Sequence, residues 1–410
     1  MDRVYARCAG IDVHKDSLVV CVRLDGRESP VQTFGTTSRE ILRLGDWLGG
    51  LGVTIAAMES TGVYWQPVWN LLEDRLQLML VNPQHIRRVP GRKTDVTDSQ
   101  WIAQLLEHGL LSPSFVPPKA QRQLRDLTRQ RTQLLGDRGR VINRVQKVLE
   151  TANVKIAGLI SDLVGVSGRK VLTALAQGKL TPQGMADLVD RRMELKKPAL
   201  REALAVAPLG EHPRFMLRQL LAQLDHIDKQ VEAFDLRVEE VMSPLERQTV
   251  QRLDEIPGFD LRTGQNVIAE IGTDMSRFPS AAHLASWAGL CPGNNQSGGK
   301  RKNGKTRRAN RWLKAALTQS AWGASRTRDS YFAVQHRRLS KRRGVKRASI
   351  AVAHSLLGVA YELIKHPDLA YTDLGANHFD KKSSVQRQVQ QMLRRLKRLG
   401  CDVEIKRPAA

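Results

Sequence analysis

The hydrophobic period of the chain changes at the proline-rich stretch "LSPSFVPPKA", residues 111–120. Before it, apolar residues come in short runs bounded by turn signals; after it, they recur every three or four residues over long stretches. One kind of element cannot satisfy both periods, so the sequence predicts an α/β domain followed by an all-α portion. In the first part "CAGIDVHK", "SLVVCVRLDG" and "VQTFGTT" read as strands, with Asp25-Gly26 as a hairpin turn. "GVTIAAMES" and "LQLMLVNP" read as further strands, "GVYWQPVWNLLEDR" and "DVTDSQWIAQLLEHGLL" as helices. Three meandering strands followed by alternating units predict a mixed sheet over residues 1–115.

Past the break, apolar residues from Leu124 to Leu149 and again from Leu217 to Phe234 form two amphipathic stretches. They predict a long, coiled-coil-like antiparallel arm over residues 116–248, although an ordinary helical bundle satisfies the same pattern. From Leu253, "LDEIPGFDLRTGQNVIAEIG" sets a Pro-Gly turn between two helical segments. This is the pattern of a helix-hairpin-helix whose turn amides, around Gly258, hold a backbone phosphate; a plain helix connection fits the same residues. Residues 249–345 read as a mainly helical domain. Residues 346–410 read as a basic helical extension, with an amphipathic helix from Ser383 to Leu399.

The 410 residues carry 65 Lys+Arg against 41 Asp+Glu, a net charge of +24. Seventeen of the cations, with the single acid Asp329, fall between Lys300 and Arg347. A field so localised attracts polyanions, which makes nucleic acid the expected partner. No run approaches the roughly 18 apolar residues of a spanning helix, and Met1–Lys15 lacks the apolar region of a signal peptide. A cytoplasmic protein without a membrane partner is expected. Cys8, Cys21, Cys291 and Cys401 form no C-x-x-C pair, and the ten histidines show no ligand spacing, so neither a disulfide framework nor a zinc site is indicated.

Four carboxylates in the first part stand where chemistry is kept in α/β domains. Asp12 lies within an apolar strand and Glu59 where a strand meets a glycine-containing loop. Asp95 and Asp98 open a helix three residues apart and share a face. Singly, each has a bland explanation, an edge-strand acid facing water or a helix cap. Together they cannot stay ionised on one point without cations between them. A hard divalent ion such as Mg²⁺, bound by Asp12, Glu59, Asp95 and Asp98, suits the set and predicts phosphoryl chemistry on DNA or RNA.

The basic stretch "NQSGGKRKNGKTRRANRW", residues 294–311, raises a second candidate, Ser297. Within it, "GKRKNGKT" fits the P-loop pattern letter for letter. The turn-forming "GLCPGNNQSG" before it is not the buried strand that a P-loop follows, so no nucleotide cofactor is expected. Ser297 can hold a phosphate beside glycine amides or attack one, with Lys300, Arg301 and Lys302 stabilising the developing charge. These residues leave the two roles even. Lys305, Arg307, Arg308 and Arg311 complete the candidate nucleic-acid contacts.

"GIDVHK", "MESTGVYW" and "KTDVTDSQWIAQLL" resemble, in order, the acidic motifs of the DEDD transposases of bacterial insertion sequences, the insertion sequence 110 family. "IPGFDLRTGQNVIAEIG" and "LASWAGLCPGNNQSGGKRKNGKTRRANRWLKAAL" are similar to that family's carboxy-terminal transposase domain. The resemblance implies an RNase H/RuvC-like amino-terminal domain. It also implies that Ser297 is a nucleophile forming a covalent phosphoserine link to DNA, working with Asp12, Glu59, Asp95 and Asp98. It further implies donor and target DNA as substrates, a structured guide (bridge) RNA, and assembly as a tetramer of two dimers through the arm. Two other readings compete: a hydrolytic RuvC-like nuclease or Holliday junction resolvase, and a non-catalytic nucleic-acid-binding protein whose acids are helix caps.

Overall fold

The computed structural model describes residues 3–28, 31–60, 62–83, 98–205, 209–293, 295–298, 300–303, 306, 309–381 and 385–400. The chain divides into two compact units, 1–119 and 120–410.

The first unit is built on a six-stranded mixed sheet. Strand β1 (Arg7–Val13) is antiparallel to β2 (Ser17–Leu24) on one side and parallel to β5 (Ile55–Glu59) on the other, and β5 is parallel to β6 (Gln77–Val81). The Asp25-Gly26 turn, with positive φ at both residues, sends the chain into the short β3 (Arg27–Glu28), and β4 (Gln32–Gly35) pairs the other half of β2. Positive φ at both central positions is what a tight right-twisting hairpin needs.

Between β4 and β5 lies helix α1 (Ser38–Gly50), absent from the sequence reading. Its signals are nevertheless ordinary. The Thr37 hydroxyl accepts from the Glu40 amide at 3.4 Å, and Ile41, Leu44 and Leu48 are buried at three- and four-residue spacing. With α2 (Trp65–Leu72) it covers one face of the sheet, against Ile11, Val20, Met58 and Leu80. Helix α3 (Asp98–Glu107) covers the opposite face, against Cys8, Ile55, Ala57 and Val81.

Among its described residues the second unit is helical apart from one hairpin. Helices α4 (Lys119–Thr151) and α8 (Glu211–Val241) run antiparallel, since Arg131 meets Asp235 at 2.8 Å and Arg138 meets Asp228 at 2.6 Å. Their apolar faces enclose a core from Leu134 to Val231 together with the short helices α5 (Val166–Gln177), α6 (Pro182–Ala186) and α7 (Lys197–Ala205). Leu124 belongs instead to the second core of this unit, and Leu135 is exposed.

That second core gathers α9 (Pro244–Asp254), α10 (Leu261–Ile271), α11 (Ala281–Trp287), α12 (Arg311–Ala324), α13 (Tyr331–Arg343) and α14 (Val345–Lys365). The boundary expected at residue 345 therefore precedes a helix that lies inside this core: Val352, Leu356, Leu357 and Tyr361 of α14 are buried. Among the described residues α14 is the one helix long and apolar enough to cross a membrane, and burial of its apolar face in the core accounts for that composition. Two helices follow, α15 (His378–Lys381) and α16 (Val385–Arg398).

Candidate active site

The register of the sheet places two of the predicted acids side by side. The β1–β5 ladder pairs Cys8 with Ile55, Gly10 with Ala57 and Ile11 with Met58, so Asp12 and Glu59 occupy the next step along both strands. Strands in a sheet lie about 4.8 Å apart, and alternate residues share a face. Asp12 and Glu59 thus belong to the face of Cys8, Ile55 and Ala57, the one that α3 covers.

Gly10 explains how close α3 comes. A Cβ added there would stand 2.2 Å from the Ser99 carbonyl oxygen and 2.4 Å from the Ala103 amide nitrogen. The first turn of α3 therefore rests on β1 two residues before Asp12, and Asp98, the residue before Ser99, opens that helix. Asp12 and Glu59 stand at one end of the sheet face that α3 covers, and Asp98 opens that helix. Asp95 lies outside the described residues. Carboxylate oxygens are the donors that hard divalent cations take, so these residues fit such an ion. Among the described residues no three His, Cys, Asp or Glu side chains stand together at ligating distance.

One neighbour escaped the sequence reading. His14 Nε2 is 3.1 Å from Asp12 Oδ2, with the ring more than half exposed. It lies two residues along the same strand direction, a spacing that alternation puts on one face. Glu107, at the far end of α3, is a different kind of acid. It is 1% exposed, and its Oε2 accepts from Arg23 Nε at 2.6 Å, a buried structural ion pair.

In the second unit Ser297 ends strand β7 (Asn295–Ser297), which pairs antiparallel with β8 (Lys300–Asn303). Ser297 lies opposite Lys300, and Gly298 follows the serine at the corner of the hairpin. Gly298 has φ +56° and open space where a Cβ would be. Left-handed backbone at that corner favours glycine, and the serine stands at the tip of the hairpin, one residue from its turn. Residues 300–303, the variable positions of the P-loop pattern, are strand rather than an anion-cradling loop.

Lys300, Arg301 and Lys302 line β8, and Arg311 begins α12, its guanidinium 4.6 Å from the Trp312 ring centre. Lys305, Arg307 and Arg308 lie outside the described residues. Exposed cations follow at Arg326, Arg328, Arg337, Lys341, Arg342 and Arg343, which the sequence reading counted in the charge of the region without naming them. Gly258 sits in the α9–α10 turn at φ +86°, where a Cβ would stand 2.2 Å from the Ser320 carbonyl oxygen of α12. Close packing of the turn on α12 accounts for this glycine, whatever its turn amides bind.

Residues 9–154 match the family model described as "Transposase", of the DEDD type of insertion sequence 110. Residues 250–337 match the model described as "Transposase IS116/IS110/IS902 family". The chain is 27% identical over 323 residues to the uncharacterized 42 kDa protein of insertion element IS900 from Mycobacterium paratuberculosis, covering 71% of this chain and 79% of that one. It is 26% identical over 277 residues to an uncharacterized protein of insertion element IS116 from Streptomyces clavuligerus, covering 60% and 68%. Over 282 residues it is 24% identical to a probable family 20 transposase of Pseudomonas aeruginosa, covering 67% and 72%. The first match takes in the acid-bearing sheet and the second the serine hairpin, and a chain that carries both domains of the IS110/IS116 transposases is an enzyme of the DNA transposase and recombinase class.

Proposed function

We propose that the protein recombines DNA without net hydrolysis, using Ser297 as nucleophile and the first unit's acids as a divalent-metal site on an RNase H/RuvC-like platform. The observation that carries this reading is the register that sets Asp12 and Glu59 at the same step of the neighbouring strands β1 and β5, on the face covered by the helix that Asp98 opens. A bound Mg²⁺ would neutralise the acids and stabilise charge on the scissile phosphate. Asp12, Glu59, Asp95 and Asp98 would hold that ion.

Ser297 Oγ loses its proton and attacks the phosphorus of a DNA strand. A seryl phosphodiester forms, and the bond to the 3′ oxygen breaks, leaving a 3′ hydroxyl. The 3′ hydroxyl of a second strand then attacks the same phosphorus, expels Ser297 and takes its place, so one phosphodiester is exchanged for another. Lys300, Arg301 and Lys302 flank the serine in sequence and offset the negative charge that builds on the phosphorane. Donor and target DNA engage the exposed cations, and a structured bridge RNA pairs with both. The two long helices join copies of the chain into a tetramer, and the reaction runs in the bacterial cytoplasm on nucleoid DNA.

The test is a denaturing gel of labelled DNA with the parent chain, Ser297→Ala and Asp98→Asn. The parent is expected to form a protein–DNA adduct, and Ser297→Ala to bind DNA without forming it. Cleavage that continues unchanged in Ser297→Ala would leave a hydrolytic nuclease. Normal recombination by Asp98→Asn would make the acids helix caps. Sequencing of co-purifying RNA tests the guide.

A further inference from the structure

Glu270 on α10 is a buried carboxylate, 1% exposed, far along the chain from every candidate acid. Arg129 of α4 holds it through two parallel bonds, Nε to Oε1 at 2.7 Å and Nη2 to Oε2 at 2.8 Å. Arg125 Nε adds a contact at 3.5 Å. The remaining donor comes from the residue that closes the serine loop: Asn310 Nδ2 donates to Glu270 Oε2 at 2.6 Å. The same Asn310 caps α12, its Oδ1 accepting from the Trp312 and Leu313 amides at 3.1 and 3.0 Å.

The base of the loop is closed nearby. Pro292 bridges Thr306, and Lys314 Nζ donates to the Thr306 hydroxyl. The stretch that carries Ser297 is therefore tied at its neck, and its exit is tied to Glu270.

Taking two guanidinium groups and a carboxylate out of water costs much of what their attraction returns, so apolar residues of the same size would hold α4, α10 and α12 together about as well. An apolar residue at position 270 could not accept from Asn310. What the charged cluster adds is a fixed location for the end of the loop. We propose that Arg129, Glu270 and Asn310 are positioning residues for strand exchange: they fix the exit of the Ser297 hairpin so that it meets the scissile phosphate in one geometry. The proposal rests on the Ser297 reading above and deepens it.

Asn310→Ser separates the two duties of Asn310, because serine still caps a helix but is too short to reach Glu270. The full chain, with its co-purifying RNA and the element's DNA, is assayed for strand-exchange rate at saturating DNA, for DNA affinity and for tryptic cleavage after Lys300–Arg308. Asn310→Ser is expected to bind DNA as the parent does and to melt with it. It should be nicked faster in the loop and exchange strands ~100-fold more slowly, the cost of misplacing a reacting group by about 1 Å. Glu270→Gln is expected to show the same rate loss together with a lower melting temperature.

Exchange at the parent rate by Asn310→Ser, with or without faster nicking, overturns the proposal. So does a rate loss matched by an equal loss of DNA affinity. If the parent forms no seryl adduct, the nucleophile assignment fails on its own, and the positioning role is still decided by the exchange rate of Asn310→Ser.

Discussion

The two units place their candidate reacting groups by opposite means. In the first, Asp12 and Glu59 are set by the backbone ladder of a parallel strand pair whose core is apolar, and Asp98 by a helix resting on Gly10. In the second, the Ser297 hairpin belongs to no large sheet, and its exit is tied by side chains to a buried carboxylate. Register is a property of many hydrogen bonds, so one acid can be altered there without moving its neighbours. A polar side-chain anchor is a property of one or two atoms, so its loss moves what it holds.

The largest effect expected from this contrast is therefore clean in the first unit. Asp12→Asn should lower strand exchange by ~10²–10³-fold, the range for removing one electrostatic group from a reacting centre. Its melting temperature should stay at the parent value, because the Asp12 side chain is partly exposed and its strand is held by backbone bonds. A melting temperature that falls along with the rate would show that the acid end of β1 is as fragile as the serine loop and would break the comparison.

Next comes the reverse case within the same unit. Glu107 lies at the other end of α3 from Asp98 and is buried against Arg23. Glu107→Gln removes one partner of a buried pair and should cost ~3–5 kcal/mol of stability, measured by urea unfolding. Exchange per folded molecule should stay at the parent rate. A rate loss beyond the folded fraction would mean that α3 transmits its C-terminal contacts to Asp98.

The sheet, with Asp12 and Glu59 on neighbouring strands, was legible in the sequence because strands and the acids within them depend on local pattern. Period-two runs and an Asp-Gly pair define strands and a turn, and a carboxylate amid "GIDVHK" or "AAMES" stands out against apolar neighbours. Helix α1 was equally readable, from Thr37, Glu40 and the Ile41–Leu44–Leu48 stripe. The Arg129–Glu270–Asn310 cluster had no such signal, since its members are separated by 141 and 40 residues. A glutamate in "NVIAEIG" looks like any helical acid until the fold buries it. Gly258 fell between these cases. The sequence marked it as a turn glycine, while only the fold shows that α12 presses on it.

Glycine contacts sharpen the comparison at a smaller scale. Gly10 and Gly258 each meet a helix backbone so closely that a Cβ would stand 2.2 Å from a carbonyl oxygen. Gly10→Ala should cost ~1–3 kcal/mol, the range for overpacking. Gly258→Ala should cost more by ~1–2 kcal/mol, because its φ of +86° is also strained for an L side chain. Thermal melts of the two variants check the order. Equal losses would mean that the α9–α10 turn relaxes where the sheet does not.

The smallest effect concerns the thiols. Burial, helped by the charge of Glu107 and opposed by Arg23, pushes Cys8 from 9.0 up to about 12. Its thiol therefore stays protonated in the folded chain at pH values where a free thiol ionises. Cys8 and Cys21 are fully buried in the first unit, whereas Cys291, beside the serine hairpin, is only half-buried. Alkylation of the native chain at pH 8, mapped by mass spectrometry, should label Cys291 within minutes and leave Cys8 and Cys21 unlabelled until the sheet opens. Raising the pH adds a signed check. Between 9 and 12 the unfolded chain ionises Cys8 while the folded chain does not, so this thiol's contribution to stability is intact below pH 9 and is lost as pH climbs towards 12. Cys8→Ala should remove that part of the alkaline decline. If Cys8 labels as fast as Cys291 at pH 8, the sheet face beneath α3 opens as readily as the hairpin's surroundings, and rigid register is no longer what sets the first unit apart.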